Sequence, residues 1–158
     1  PTTLRYISVL SDLSQLKLDD KDIVEIGAGY GGQYTVLRQY VKPRSYTIID
    51  LPEVIKLQRR YIKLQKLDDI ELNFYSLDDL PELRGDLLIS NYAFSECVKE
   101  VQDKYIQKIL NNCKRGYIIH NNFKGYSHTD LINILPHNVK ELKEDPNTAP
   151  NNVLLTWS

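Results

Sequence analysis

Apolar residues in this chain recur alternately at helical spacing and in short unbroken runs, almost from one end to the other. That alternation predicts an α/β domain whose central strands are buried on both faces. Leu4, Ile7, Leu10 and Leu13 fall at helical spacing within Leu4–Leu18, a helix expected to cover the sheet. Ile23–Ile26 is an apolar run closed by glycines and reads as the first, central strand. A helical stretch to about Val41 follows, Pro43 stops it, and Tyr46–Ile49 gives a second strand ending at Asp50, which completes one βαβ unit. Pro52 suits the first turn of the next helix. There Val54, Leu57, Tyr61, Leu64 and Leu67 mark an apolar stripe, while Lys56, Arg59, Arg60, Lys63 and Lys66 read as a solvated face. Ile70–Tyr75, Asp86–Ser90 and Gly116–His120 are the next three strands, the last preceded by a helix from about Val101 to Asn112. A short helix near Thr129–Leu135 ends at Pro136, and Asn138–Leu142 and Val153–Trp157 flank the turn-rich DPNTAPNN, so a hairpin closes the chain. The expected architecture is a mostly parallel seven-stranded sheet with helices on both faces and an antiparallel ending. A ligand then belongs beyond the carboxyl ends of the strands, where strand order reverses.

Size and composition narrow the function classes. The 158 residues fit one domain, and 20 basic against 21 acidic residues, a formal net charge of -1, leave no field to attract a polyanion. Nucleic acid is therefore not an expected partner. No apolar run approaches the roughly 18 residues that suggest a membrane span, and Pro1–Tyr6 does not read as a signal peptide, so the expected address is cytoplasmic. Cys97 and Cys113 lack metal-ligand spacing and read as buried, inert thiols. The chain starts at Pro1 and contains no Met, which reads as a single domain cut from a longer protein, with further domains of the same chain as partners.

The chemistry concentrates in IVEIGAGYGGQ, residues 23–33, and at Asp50. Gly27, Gly29 and Gly31 let the chain turn sharply and bring bare backbone to a ligand. Asp50, ending the strand beside the first, can accept both hydroxyl hydrogens of a ribose. Gly27, Gly29 and Gly32 also satisfy the dinucleotide fingerprint GxGxxG. Glu25 separates the two readings. An acid two residues before the first glycine can face the cationic amino group of a methionine moiety, whereas a pyrophosphate would be repelled by it. The expected cofactor is S-adenosyl-L-methionine.

The segments VEIGAGYGG, YTIIDLPEV, DLLISNYAFSE and GYIIHNN, within about residues 20–125, resemble the sugar O-methyltransferase family of class I enzymes. The resemblance implies a Rossmann-like class I methyltransferase fold, S-adenosylmethionine as methyl donor, and a sugar hydroxyl as acceptor during glycan or nucleotide-sugar tailoring. Carried over by motif, Glu25, Gly27, Gly29 and Gly31 line the methionine end, and Asp50 with Leu51 holds ribose and adenine. Asp78 falls near the adenine amino group, although Asp79 could take that role and Asp78 could instead cap a turn.

Methyl transfer is an in-line displacement, so the protein must align the acceptor and weaken its proton. Candidates lie past the fourth and fifth strands: Ser90, Asn91, Tyr92, Ser95 and Glu96 in SNYAFSE, and His120, Asn121 and Asn122 in IIHNN. His120 titrates near neutrality and is the preferred base, with Glu96 as a second base or an orienting group. The plainer readings are a satisfied core histidine for His120, a helix-start acid for Glu96 and an N-terminal helix position for His128. Tyr30, Asn91, Tyr92 and Asn121 are the candidate acceptor contacts. Gln33 and Tyr34 follow the glycines, Tyr34 reading better as core, and Trp157 packs the last strand. Only Glu96 is placed to polarise an acceptor through a divalent cation, so no metal is expected. Two rivals stay open, a cofactor-binding domain without catalysis and a nicotinamide-dependent oxidoreductase.

Overall fold

The computed structural model describes residues 2–158. The elements are α1 (Thr2–Leu13), β1 (Asp22–Ile26), α2 (Gly32–Leu37), β2 (Ser45–Ile49), α3 (Pro52–Leu64), β3 (Glu71–Tyr75), β4 (Leu87–Asn91), α4 (Lys99–Lys108), β5 (Gly116–His120), α5 (His128–Ile134), β6 (Lys140–Lys143) and β7 (Val153–Trp157), with one 3-10 turn at Leu110–Asn112. The strands form one seven-stranded sheet in the order β3-β2-β1-β4-β5-β7-β6. β1 to β5 run parallel, β7 is antiparallel to β5, and β6 is antiparallel to β7. Seven strands, the parallel core and the antiparallel ending are as the sequence predicts.

Burial explains which runs sit where. The apolar runs of β1, β2, β4 and β5 are enclosed almost throughout, as strands covered by helices on both faces must be. Along each strand alternate residues serve opposite faces. Val24, Ile26, Leu88 and Ile118 pack with Tyr105, Ile109 and Leu131 on the side of α4 and α5. Ile23, Tyr46, Ile48, Leu87 and Ile89 pack with Val9, Leu13, Tyr34, Leu37 and Ile62 on the side of α1, α2 and α3. The outermost strand β6 is exposed along its whole length and carries Lys140 and Lys143, charges that discourage edge-to-edge pairing. Trp157 is buried, its Nε1 donating to Cys113 O at 3.0 Å, and its ring fills the space over Gly116, where a Cβ would approach it to 2.1 Å.

The helices differ from expectation in extent and in facing. α1 stops at Leu13 rather than Leu18, and its buried residues are Tyr6, Val9 and Leu13, while Leu4 and Ile7 are exposed. α2 is six residues long and does not reach Val41. α3 buries Gln58 and Ile62 and exposes Leu57 and Leu64. That helix lies against the glycine turn and the edge of the sheet, so its contact line runs through positions 58 and 62 instead of the most apolar stripe. α4 covers a shorter span than Val101–Asn112 predicts at its end, starting at Lys99 and giving way to the 3-10 turn. Of the thiols, Cys113 is buried, but Cys97 is only half-buried. Among the described residues no helix is long and apolar enough to cross a membrane.

Candidate active site

Strand order reverses at β1, which lies between β2 and β4, and the glycine turn leaves the sheet at that point. Gly27 adopts φ +72° and donates its N–H to Ile49 O at 2.9 Å. A Cβ on Gly27 would sit 2.0 Å from the Ala93 methyl carbon, so the first turn residue must be glycine for space as well as conformation. Gly31, at φ +94°, caps α2 and donates to Ala28 O at 2.9 Å. Gly29, at φ +57°, is exposed and nothing lies within 4 Å of where its Cβ would be, which leaves the crest of the turn bare.

Beside this turn a cavity of about 470 Å³ opens over the carboxyl ends of β1, β2 and β4. Its walls bring together Gly27, Asp50, Leu51, Asp78 and Glu96, five of the predicted site residues, with Leu77, Ala93, Cys97 and Tyr105. Asp50 Oδ1 accepts from Leu51 N at 2.8 Å and Oδ2 from Gln58 Nε2 at 2.8 Å. Burial raises the Asp50 pKa, opposed by these bonds and by backbone N–H groups of Gly29 and Ala28. Asp79 is committed elsewhere. Its Oδ1 accepts from Ser76 N and Ser76 Oγ, both at 2.6 Å, which makes Asp79 the turn-former and leaves Asp78 as the acid on the cavity wall.

Glu25 differs from expectation. Strand alternation puts Ile26 on the cavity wall and turns Glu25 to the other face, where it is 1% exposed and accepts from Tyr46 Oη at 2.7 Å. Burial lifts its pKa to about 7 despite the tyrosine hydrogen bond. It lies behind the glycine turn and is not among the lining residues.

His120, the preferred base, is also placed differently. The ring is fully buried and its Nδ1 accepts from Asn122 N at 3.1 Å. A neutral imidazole that accepts at Nδ1 carries its proton on Nε2, and that buried atom has no hydrogen-bond partner among the described residues. Burial, with the neighbouring His128, lowers the His120 pKa to about 4. The ring is therefore a neutral donor at the end of a buried strand, with no lone pair facing a substrate. Glu96, by contrast, is exposed at the cavity and accepts from Asn121 Nδ2 at 3.1 Å. It is not a helix-start acid, because α4 begins only at Lys99.

Asn121 ties the two polar clusters together. Its Oδ1 accepts from Ser95 Oγ at 2.8 Å while its Nδ2 holds Glu96. Asn91 Nδ2 donates to Gln33 Oε1 at 3.3 Å, and Asn91 Oδ1 is buried without a partner. Tyr92, at φ +70°, sends its hydroxyl to Glu144 in the turn after β6, with the Arg5 guanidinium 4.7 Å over its ring. Tyr30 packs edge-on against Tyr6 and Tyr61, and Tyr34 is core, with its hydroxyl bonded to Leu67 O. His128 opens α5. Gln58 carries no signal in the sequence, since Ile55, Gln58 and Ile62 share a helical face but a polar residue in that row draws no attention, and Cys97, expected to be an inert buried thiol, lies on the cavity wall.

Comparison with known proteins bears on this geometry. Neither a family model nor a curated protein matches the sequence. Solved structures match by shape. PigF, solved with SAH, superposes with a TM-score of 0.69 at 15% identity, covering 99% of this chain and 63% of that one. An rRNA methylase from Streptococcus thermophilus gives 0.70 at 15% identity, covering 98% and 96%, and an O-methyltransferase family protein from Burkholderia thailandensis gives 0.68 at 11%, covering 99% and 56%. The fold is the Rossmann-like methyltransferase fold. At these identities the likeness concerns the fold, and the chain covers only 46%, 63% and 60% of three of the matching structures.

Proposed function

We propose that this chain is a class I S-adenosylmethionine-dependent methyltransferase domain acting on a sugar hydroxyl, in a glycan or a nucleotide sugar. The observation that carries the cofactor part is the composition of the cavity. Three carboxylates, Asp50, Asp78 and Glu96, line it beside a bare glycine turn, and among the described residues no Lys, Arg or His does. Such a surface repels a pyrophosphate, which disfavours the dinucleotide reading, and suits a nucleoside with a positively charged sulfonium and ammonium. When bound, S-adenosylmethionine supplies an electrophilic methyl group on sulfur.

Each residue then has a task set by its position. Asp50, at the end of β2 on the cavity wall, accepts from the ribose hydroxyls. Leu51 and Leu77 offer apolar contact to the adenine, and Asp78 accepts from its amino group. Gly27 brings backbone to the methionine end with Gly29 and Gly31 shaping the turn around it. Glu25 acts from behind that turn, where a bound ammonium favours its ionised form. On the acceptor side, Asn121 holds one oxygen of Glu96 and so aims the other; Glu96 orients the hydroxyl and receives its proton, a task His120 does not suit, because its one lone pair is already taken by Asn122 N–H. Tyr30, Asn91 and Tyr92, the other acceptor contacts expected from the sequence, are not among the residues lining this cavity. The sugar acceptor itself rests on the resemblance of the SNYAFSE and IIHNN segments.

Calorimetric titration with S-adenosylhomocysteine, beside Asp50→Ala and a reduced nicotinamide dinucleotide control, tests the cofactor. Saturable binding of the first compound alone, weakened in the variant by about tenfold or more, is expected; binding of the dinucleotide alone, or of neither, overturns the reading. Transfer of a labelled methyl group to a panel of nucleotide sugars and free glycosides, abolished in Glu96→Gln, tests the acceptor, and an unreactive panel removes the sugar.

A further inference from the structure

Gln58 is fully buried on α3, and its Nε2 donates both hydrogens, one to Gly29 O at 2.8 Å and one to Asp50 Oδ2 at 2.8 Å. Both partners are acceptors only, so the amide orientation follows from the bonds themselves. Gln58 Oε1 has no hydrogen-bond partner among the described residues. A buried carbonyl left unpaired is costly, and here the orientation that leaves it so is the one in which a single NH2 group spans two elements. Those elements are the crest of the glycine turn and the acid at the end of β2, the two features that the cofactor reading needs at a fixed separation.

We propose that Gln58 is a positioning residue that holds the Asp50 carboxylate at one distance from the glycine turn and thereby sets the site's recognition of the ribose diol. The proposal rests on the reading of Asp50 as the ribose acceptor. Asp50 Oδ1 is steadied by the Leu51 N–H on its own chain neighbour, and the backbone N–H groups of Gly29 and Ala28 favour the carboxylate from the turn; among the described residues the side chain that donates to Oδ2 is Gln58. Without that bond the carboxylate keeps only backbone N–H groups, it gains freedom about its Cβ–Cγ bond, and its aim at two adjacent hydroxyls is less well fixed. Gln58 needs no contact with the cofactor to act this way.

The test compares S-adenosylhomocysteine with its 2′,3′-dideoxy analogue, which lacks the diol, by calorimetry on wild type, Gln58→Met, Gln58→Glu and Asp50→Ala. Wild type prefers the diol compound, and Asp50→Ala loses that preference. Gln58→Met, which keeps the volume and removes the donor, is expected to cut the preference by about tenfold while binding of the dideoxy analogue changes little. Gln58→Glu, which sets a carboxylate against Asp50, is expected to cut it further, and Gln58→Met added to Asp50→Ala changes nothing more. Thermal melting of each variant checks that it is folded. Parallel weakening towards both compounds, or an unchanged preference in both Gln58 variants, overturns the positioning role while Asp50→Ala still upholds the ribose reading. If wild type shows no preference for the diol, the Asp50 reading falls and this proposal falls with it.

Discussion

Two buried titratable side chains oppose each other across the pH range in which this protein would be handled. Burial raises Glu25 from its ordinary value of 4.5 to about 7, so between those limits the folded state holds a proton that the unfolded chain has lost, and stability falls as pH rises. Burial lowers His120 from 6.5 to about 4, so between those limits the unfolded chain holds the extra proton, and stability rises with pH. Each slope is at most about 1.4 kcal/mol per pH unit. From about 4.5 to 6.5 these two slopes cancel each other, so in urea titrations each shows as the difference between wild type and its variant. Relative to wild type, Glu25→Gln, whose amide oxygen can still accept from Tyr46, should uncover a rise with pH; His120→Asn should uncover a fall. A slope unchanged from wild type in either variant refutes the assignment. The glycines give a second contrast. Gly27→Ala must push a methyl into Ala93 and is expected to cost about 3 kcal/mol, whereas Gly29→Ala meets open space and pays only for its positive φ, about 1 kcal/mol. Denaturation midpoints of the pair check the order. At this scale the sequence shows which residue types gather, since Gly27, Asp50, Leu51, Asp78 and Glu96 do share one cavity. It does not show which face a strand residue takes, and that single unknown turned Glu25 behind the turn and closed His120 in the core.

At the scale of elements, periodicity identifies strands better than helix faces. Strands buried on both sides need only be apolar, so Ile23–Ile26, Tyr46–Ile49 and Gly116–His120 were legible as runs. A helix must also declare its contact line, and α1 and α3 carry more leucines than they bury: Leu4, Leu57 and Leu64 are exposed while Tyr6 and Gln58 are enclosed. Tertiary placement against the glycine turn chose the line. The closing hairpin shows the reverse case, an element legible in outline whose fastening was not. Glu144 follows β6 and is nearly buried, accepting from Thr148 N at 2.9 Å, Asn152 Nδ2 at 3.0 Å and the Tyr92 hydroxyl. Burial pushes its pKa up, but these donors outweigh it and hold the carboxyl below the usual value. Residues 144–152 are thus folded around one carboxylate and pinned to the end of β4. Glu144→Ala strands those donors and is expected to cost about 2 kcal/mol, with faster amide hydrogen exchange confined to residues 144–152 and to Tyr92. Affinity for S-adenosylhomocysteine should change little, because Glu144 lies outside the cavity wall. Exchange that quickens throughout the sheet instead would mean that the turn is part of the cooperative core.

For the whole molecule, strand order does what no local pattern can. A chain that begins its sheet in the middle, with β1 between β2 and β4, forces two crossovers to part at one place, and the gap they leave is where the cavity opens. The alternation of elements and the antiparallel ending made this topology readable, while the cavity's contents depended on loops whose conformation the pattern leaves free. One of them, the segment between β4 and α4, carries Cys97 onto the cavity wall. The other thiol, Cys113, is 1% exposed beneath the 3-10 turn, and burial pushes its pKa up to about 12. The two cysteines therefore report on different things. Maleimide labelling of the native protein should modify Cys97 alone, slowly, because burial also raises that thiol's pKa, and both should react in denaturant. If the nucleoside occupies this cavity, S-adenosylhomocysteine at about 100 times its dissociation constant should slow Cys97 labelling by up to about a hundredfold, and Asp50→Ala should restore the rate at the same concentration. Cys113 stays silent in every native sample. Saturable binding by calorimetry with Cys97 labelling unchanged would place the cofactor elsewhere on the molecule, since a ligand lying between Asp50 and Glu96 cannot leave the wall between them open to reagent.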